Sequence, residues 1–106
     1  MTTIYRQGDV LIWADEHTIS ASATNVPRNE GRIVLAYGEV TGHAHAITDA
    51  LAELFEEKDG ALYLKVGADG ATVRHEEHAP IHLGAGVYRI VHQREYSPQE
   101  IRRVAD

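Results

Sequence analysis

Apolar positions along this chain come in short runs separated by turn residues, at intervals too short for long helices. Breaks fall at Gly8-Asp9, Asn29-Glu30-Gly31, Gly42, Asp59-Gly60, Asp69-Gly70 and Gly84-Ala85-Gly86, and residues of that kind end strands. Run 9–14, which contains Trp13, and run 32–37, rich in β-branched and aromatic residues, predict core strands. Segment 51–66 carries two periodicities: Leu51, Leu54 and Phe55 have helical spacing, whereas Leu62, Leu64 and Val66 alternate with Tyr63 and Lys65. The competing readings are a helix over 49–57 and a hairpin of strands 53–58 and 61–66. Asp59-Gly60 favours the hairpin, because Asp-Gly supplies the two positive-φ positions of a type I′ turn.

Asp69-Gly70 would turn the chain into a strand over 71–75, and 87–96 reads as one long final strand, which together give an antiparallel meander. Ser97-Pro98-Gln99-Glu100 has a capping-box pattern with proline at the first helical position, predicting a short C-terminal helix over 98–104. Segment 17–30, with its serines, asparagines and Pro27, reads as an exposed loop or a poor edge strand. With no repeat or linker, the chain is expected to be a single domain over 1–106. About seven or eight short strands must close or pack on one another, so the expected fold is all-β: a small antiparallel barrel or a flattened sandwich.

Composition narrows the chemistry. The chain has 106 residues and no cysteine, so disulfides, thiolate nucleophiles and thiolate metal sites are excluded. A formal charge of −6 argues against a nucleic-acid or anionic-membrane partner, leaving single-stranded nucleic acid stacked on tyrosines as a weak third reading. The N-terminal residues lack a secretory pattern and no run is long enough to span a membrane, so a soluble cytoplasmic protein is expected. The glycine-rich stretches match neither phosphate-loop nor dinucleotide fingerprints, and no serine has a nucleophile setting.

The unusual feature is seven histidines, four of them in close pairs: His43-Ala44-His45 and His75-Glu76-Glu77-His78. Alternation along a strand puts His43 and His45 on one face. Residues three apart on a regular strand point oppositely, so His75 and His78 converge only if the chain bends, and Pro80 suggests a bend around 77–80. Together the four would hold a divalent transition metal (zinc, iron, nickel, copper or manganese), with Glu76 or Glu77 as ligand, orienting acceptor or acid/base. Seven histidines placed at random yield about half of one pair at each spacing, so the weight rests on context: both pairs sit between strand signals. His82 alternates with Ile81 and Leu83 and is expected to face solvent, though parity with His78 leaves it a possible fifth member. His17 and His92 read as surface residues, Arg89, Arg94 and Glu95 as cross-strand charge partners, and acidic Asp49, Glu53, Glu56 and Glu57 as a solvated face.

Gly42-His43-Ala44-His45 with Gly84-Ala85-Gly86-Val87-Tyr88 resembles a small cupin. The resemblance implies a barrel with His43, His45 and Asp49 as first-motif ligands, and it puts Arg89 where the family has a further histidine, leaving His75 or His78 to replace it. Segments 7–10, 38–45 and 75–81 are also similar to small uncharacterised proteins of bacteria and their phages. Two functions are carried forward. One is a metal-binding β protein, a metal-dependent hydrolase or oxygenase if a small-molecule substrate reaches the ion. The other is a non-catalytic module that binds a protein partner, its histidine cluster structural or pH-sensing. Oligomeric state is left open, a dimer through edge strands included.

Overall fold

In the computed structural model, which describes residues 4–38 and 42–92, the chain forms ten strands. They are β1 (Ile4–Gln7), β2 (Val10–Ala14), β3 (Thr24–Asn25), β4 (Ile33–Tyr37), β5 (Ala44–Ile47), β6 (Ala52–Glu56), β7 (Leu62–Val66), β8 (Ala71–His75), β9 (His78–Leu83) and β10 (Gly86–His92). All pairings are antiparallel. The runs read as strands therefore fold as strands, and segment 17–30 contributes only the two-residue edge strand β3. The final strand is described to His92; its extension to residue 96 and the helix over 98–104 lie outside the described residues. No helix among the described residues is long and apolar enough to cross a membrane.

The strands make two sheets, ordered β1-β2-β10-β7-β6-β3 and β4-β5-β8-β9, and no barrel closes. The expected meander is replaced by a hairpin-wise exchange between sheets: β4-β5 and β8-β9 belong to one, β6-β7 to the other, and β10 returns to lie between β2 and β7. Alternation explains why this works. Val10 and Ile12, Leu54, Leu64 and Val66, and Tyr88 and Ile90 from the larger sheet meet Ile33 and Leu35, Ile47, Ala71 and Val73, and Leu83 from the smaller one in a single buried cluster. Each fully buried Leu, Ile or Val contributes about 1.5–3 kcal/mol, enough that a one-residue register slip is excluded.

The β6-β7 hairpin forms as the Asp-Gly signal requires, but with a different turn. Only Gly60 has positive φ (90°); Gly60 N–H donates to Glu57 O (2.9 Å) and Glu57 N–H to Ala61 O (2.9 Å), a three-residue loop ending in a left-handed glycine. Asp59 does not have positive φ and accepts from Ala61 N–H through Oδ1 (3.0 Å).

Arg89 also departs from expectation. Its cross-strand neighbours are Trp13 and Tyr63, and its guanidinium lies 5.8 Å from the Trp13 ring centre, a cation–π contact rather than a charge pair. Arg94 and Glu95 lie outside the described residues.

Candidate metal centre

The two histidine pairs, 30 or more residues apart in sequence, come together because β5 pairs with β8. His43 immediately precedes β5 and His45 is its second residue. His75 ends β8 and His78 starts β9, so Glu76-Glu77 is a two-residue hairpin turn and the two histidines face each other as register partners. The bend thus falls at Glu76-Glu77 and not around 77–80; Pro80 lies within β9. Neither glutamate has positive φ, so the turn lacks the twist-matched primed geometry, and β8 carries a bulge between Val73 and His75.

Ring centroids lie 4.3 Å apart for His45 and His75, 4.8 Å for His75 and His78, 5.7 Å for His43 and His75, and 6.0 Å for His45 and His78. Ligand atoms of His43, His75 and Glu76 all lie within 4.8 Å of one another. The four imidazole rings therefore form one connected group around His75, within which His43, His75 and Glu76 are the set, among the described residues, whose ligand atoms are mutually close. His82 is not: it is exposed, and its Nδ1 bonds Thr72 Oγ1 at 2.7 Å.

Hydrogen bonds fix which nitrogen each ring presents. Gln7, 2% exposed, donates from Nε2 to Val73 O (3.1 Å) and Ala79 O (2.9 Å). Its Oε1 can then only accept, so His45 Nδ1, 2.9 Å away, carries the hydrogen and Nε2 keeps its lone pair. His43 Nδ1 is 3.0 Å from Glu77 Oε2, and an ionised carboxylate likewise assigns the hydrogen to Nδ1 and the lone pair to Nε2. His75 is the reverse: its Nδ1 accepts from Glu77 N–H (3.0 Å), which puts the hydrogen of the neutral ring on Nε2.

Gly8 closes the other side. A Cβ there would lie 2.9 Å from His78 Nε2 and 3.1 Å from His45 Cε1, and its φ is +56°, so both space and backbone require glycine.

Burial and like charge set the electrostatics. Burial lowers the His45 pKa from 6.5 to about 4, helped by His75 and His78 and opposed by Asp9 and Glu76. Glu76 is held below the usual carboxylate range chiefly by the Ala44 N–H bond (3.0 Å), with His43 and His75 nearby. The cluster thus combines a neutral, buried imidazole with an ionised carboxylate, which is the donor chemistry a borderline-soft divalent ion takes.

Residues 6–93 match the family model described as Domain of unknown function DUF8820. The chain belongs to this family. The DUF8820 match runs from Arg6 within β1 to beyond β10, so it includes every member of the cluster and all strands from β2 to β10. No curated protein and no solved structure matches the chain.

Gln7 and Gly8 were not singled out as site residues by sequence reasoning, because they lie 38 and 37 positions before His45 and only the β1 placement brings them near. The signal was the Gln7-Gly8-Asp9 turn following a short apolar segment. Two surface assignments also change. His17 stacks on Tyr63 at 4.0 Å and its Nε2 bonds Glu57 at 2.7 Å, and His92 Nε2 bonds Leu35 O at 2.8 Å.

Proposed function

We propose that this protein binds one divalent transition metal ion through imidazoles of His43, His45, His75 and His78, with Glu76 as an additional oxygen donor and Glu77 as the orienting acceptor of His43. The observation that carries the reading is the pair of Nδ1 bonds, Gln7 to His45 and Glu77 to His43, which leave both Nε2 lone pairs free. Metal-binding histidines are held in this way, with the second ring nitrogen donating to a carboxylate or amide oxygen.

Ligands around a tetrahedral ion lie about 3.3 Å apart, so the trio within 4.8 Å would contract by up to about 1.5 Å on loading. His75 would have to lose either its Nε2 hydrogen or its bond from Glu77 N–H, so the Glu76-Glu77 turn is the element expected to move. The cupin resemblance contributes His43 and His45 to this reading but not its remaining positions. Asp49 accepts from Thr72 N–H (3.0 Å), and Arg89 lies against Trp13 in the other sheet.

With three protein ligands engaged, an ion keeps a position for water or substrate and supplies Lewis acidity there; with all four histidines it is closed and structural. In the open form Glu76 and Glu77 are the acid/base candidates, and the activity would be hydrolysis for zinc or oxygen chemistry for iron. The test is thermal unfolding with zinc and with a strong chelator. Zinc at about 100 times its Kd should stabilise the wild type by about 2.7 kcal/mol and leave His43→Ala unmoved; equal shifts in both proteins would refute the assignment.

A further inference from the structure

A second chemical feature lies on the outer face of the smaller sheet. In β5, Ile47 is in the core, so alternation turns Ala44 and Ala46 to the opposite face. Arg74 of β8 is the register partner of Ala46 and points the same way, since Val73 is in the core. On the other flank Arg32 precedes Ile33, whose partner is Ile47. Small side chains on the central strand between long ones on both neighbours make a cleft of about 340 Å³, with Ala44 and Ala46 beneath and Arg32, Arg74 and Pro80 around it. At one end it is lined by His75, Glu76 and His78, which are members of the histidine cluster.

Among the described residues, neither the Arg32 nor the Arg74 guanidinium has a hydrogen bond or ion pair. In a chain of net charge −6, two guanidiniums in one cleft without a partner among the described residues stand out, because Arg28 nearby is fully engaged with backbone carbonyls of Gly31, Asp49 and Ala52. Glu76 is the only carboxylate among the described residues of the lining, and its Oε1 already accepts from Ala44 N–H. A planar guanidinium with several donors matches oxyanions.

We infer that this cleft is a binding subsite for a small oxyanion, the carboxylate or phosphate end of a ligand held between Arg32 and Arg74. A cleft of this volume accommodates a small metabolite rather than a macromolecule. The remainder of the ligand extends over Ala44 and Ala46 towards His75 and His78. The arginine contacts need no metal; that the far end of the ligand meets an ion rests on the proposed metal site.

The experiment is an NMR titration of the arginine Nε–H resonances with inorganic phosphate and with succinate, on chelator-stripped and zinc-loaded protein. Wild type should saturate at Arg32 and Arg74. Arg32→Gln and Arg74→Gln should each weaken binding about tenfold, while Lys65→Gln, a surface cation on the other sheet, should leave it unchanged. Saturation by phosphate alone marks a phosphate ligand, and saturation by succinate alone a carboxylate. Absence of saturation with both probes, or equal weakening by Lys65→Gln, overturns the inference. Persistent oxyanion binding in protein that takes up no zinc would support the subsite and remove the metal reading.

Discussion

Gln7 holds three polar groups at once: its Nε2 donates to Val73 O and Ala79 O, and its Oε1 accepts from His45 Nδ1. Truncation to alanine removes the Gln7 partner from His45 Nδ1 and Val73 O in the interior and from Ala79 O at a part-buried position. Gln7→Ala is therefore expected to destabilise the fold by about 1–3 kcal/mol in urea unfolding and to weaken zinc binding about 10–100-fold; unaltered zinc affinity would show that the His45 tautomer is not set by Gln7. Titration of His45 gives a second outcome at this scale. Its folded pKa is about 4 against 6.5 ordinarily, so between those values the unfolded chain binds a proton that the folded chain does not. Stability of chelator-treated protein should fall as pH drops from 6.5 towards 4. His45→Gln should flatten that slope, whatever its own stability. The His43-x-His45 convergence was legible from strand parity alone. Gln7 was not, because no local pattern pairs a residue in one hairpin with a residue 38 positions later.

Among the elements, the loop after β2 is tied to the β6-β7 hairpin through the carboxylate of Glu57. Glu57, just beyond β6, accepts from Ser20 N–H, Ser20 Oγ–H and His17 Nε2, and His17 stacks on Tyr63 of β7. The Ser20 and His17 bonds hold the Glu57 carboxyl at about 2, below its ordinary 4.5. A depressed acid stabilises above its unfolded pKa, and the contribution is lost as pH falls from 4.5 towards 2, below the His45 window. Glu57→Gln should remove this acid-sensitive step and speed proteolytic cleavage within 15–23 at neutral pH; an unchanged cleavage rate would mean the loop is held by other contacts.

The β6-β7 hairpin was readable from Asp59-Gly60, yet its turn type was not, since Asp-Gly also suits a three-residue loop with only the glycine left-handed. The His75-to-His78 bend was likewise implied by parity. Pro80 misplaced it, because proline also fits a strand where no ladder donor is needed. At the turn between β1 and β2, Gly8→Ala should both destabilise the fold and disturb the His45 and His78 rings, read as shifted imidazole resonances. A stable variant with unshifted rings would contradict the close approach of Gly8.

At the scale of the whole molecule, the metal and oxyanion readings depend on one non-local event, the pairing of β5 with β8. That pairing carries His43 and His45 to His75 and His78 and sets Arg74 beside Ala46. Strand existence was legible because short alternating runs and turn residues are local. Sheet membership was not: a strand with one apolar face can join either sheet, and only packing of all inner faces into one cluster decides that β10 lies between β2 and β7. Of the barrel and the flattened sandwich that the sequence left open, the two-sheet arrangement is found and the closed barrel is not, since closure depends on edges that no single segment encodes.

This convergence is proposed to make a metal site. Its most direct test is elemental mass spectrometry of tag-free protein purified without added metal or chelator, with the His43→Ala/His75→Ala double variant alongside and its folding checked by circular dichroism. About one equivalent of a transition metal per chain is expected in the wild type, and its loss from the folded double variant. A wild type holding little metal, or a folded double variant holding as much as the wild type, would contradict the proposal.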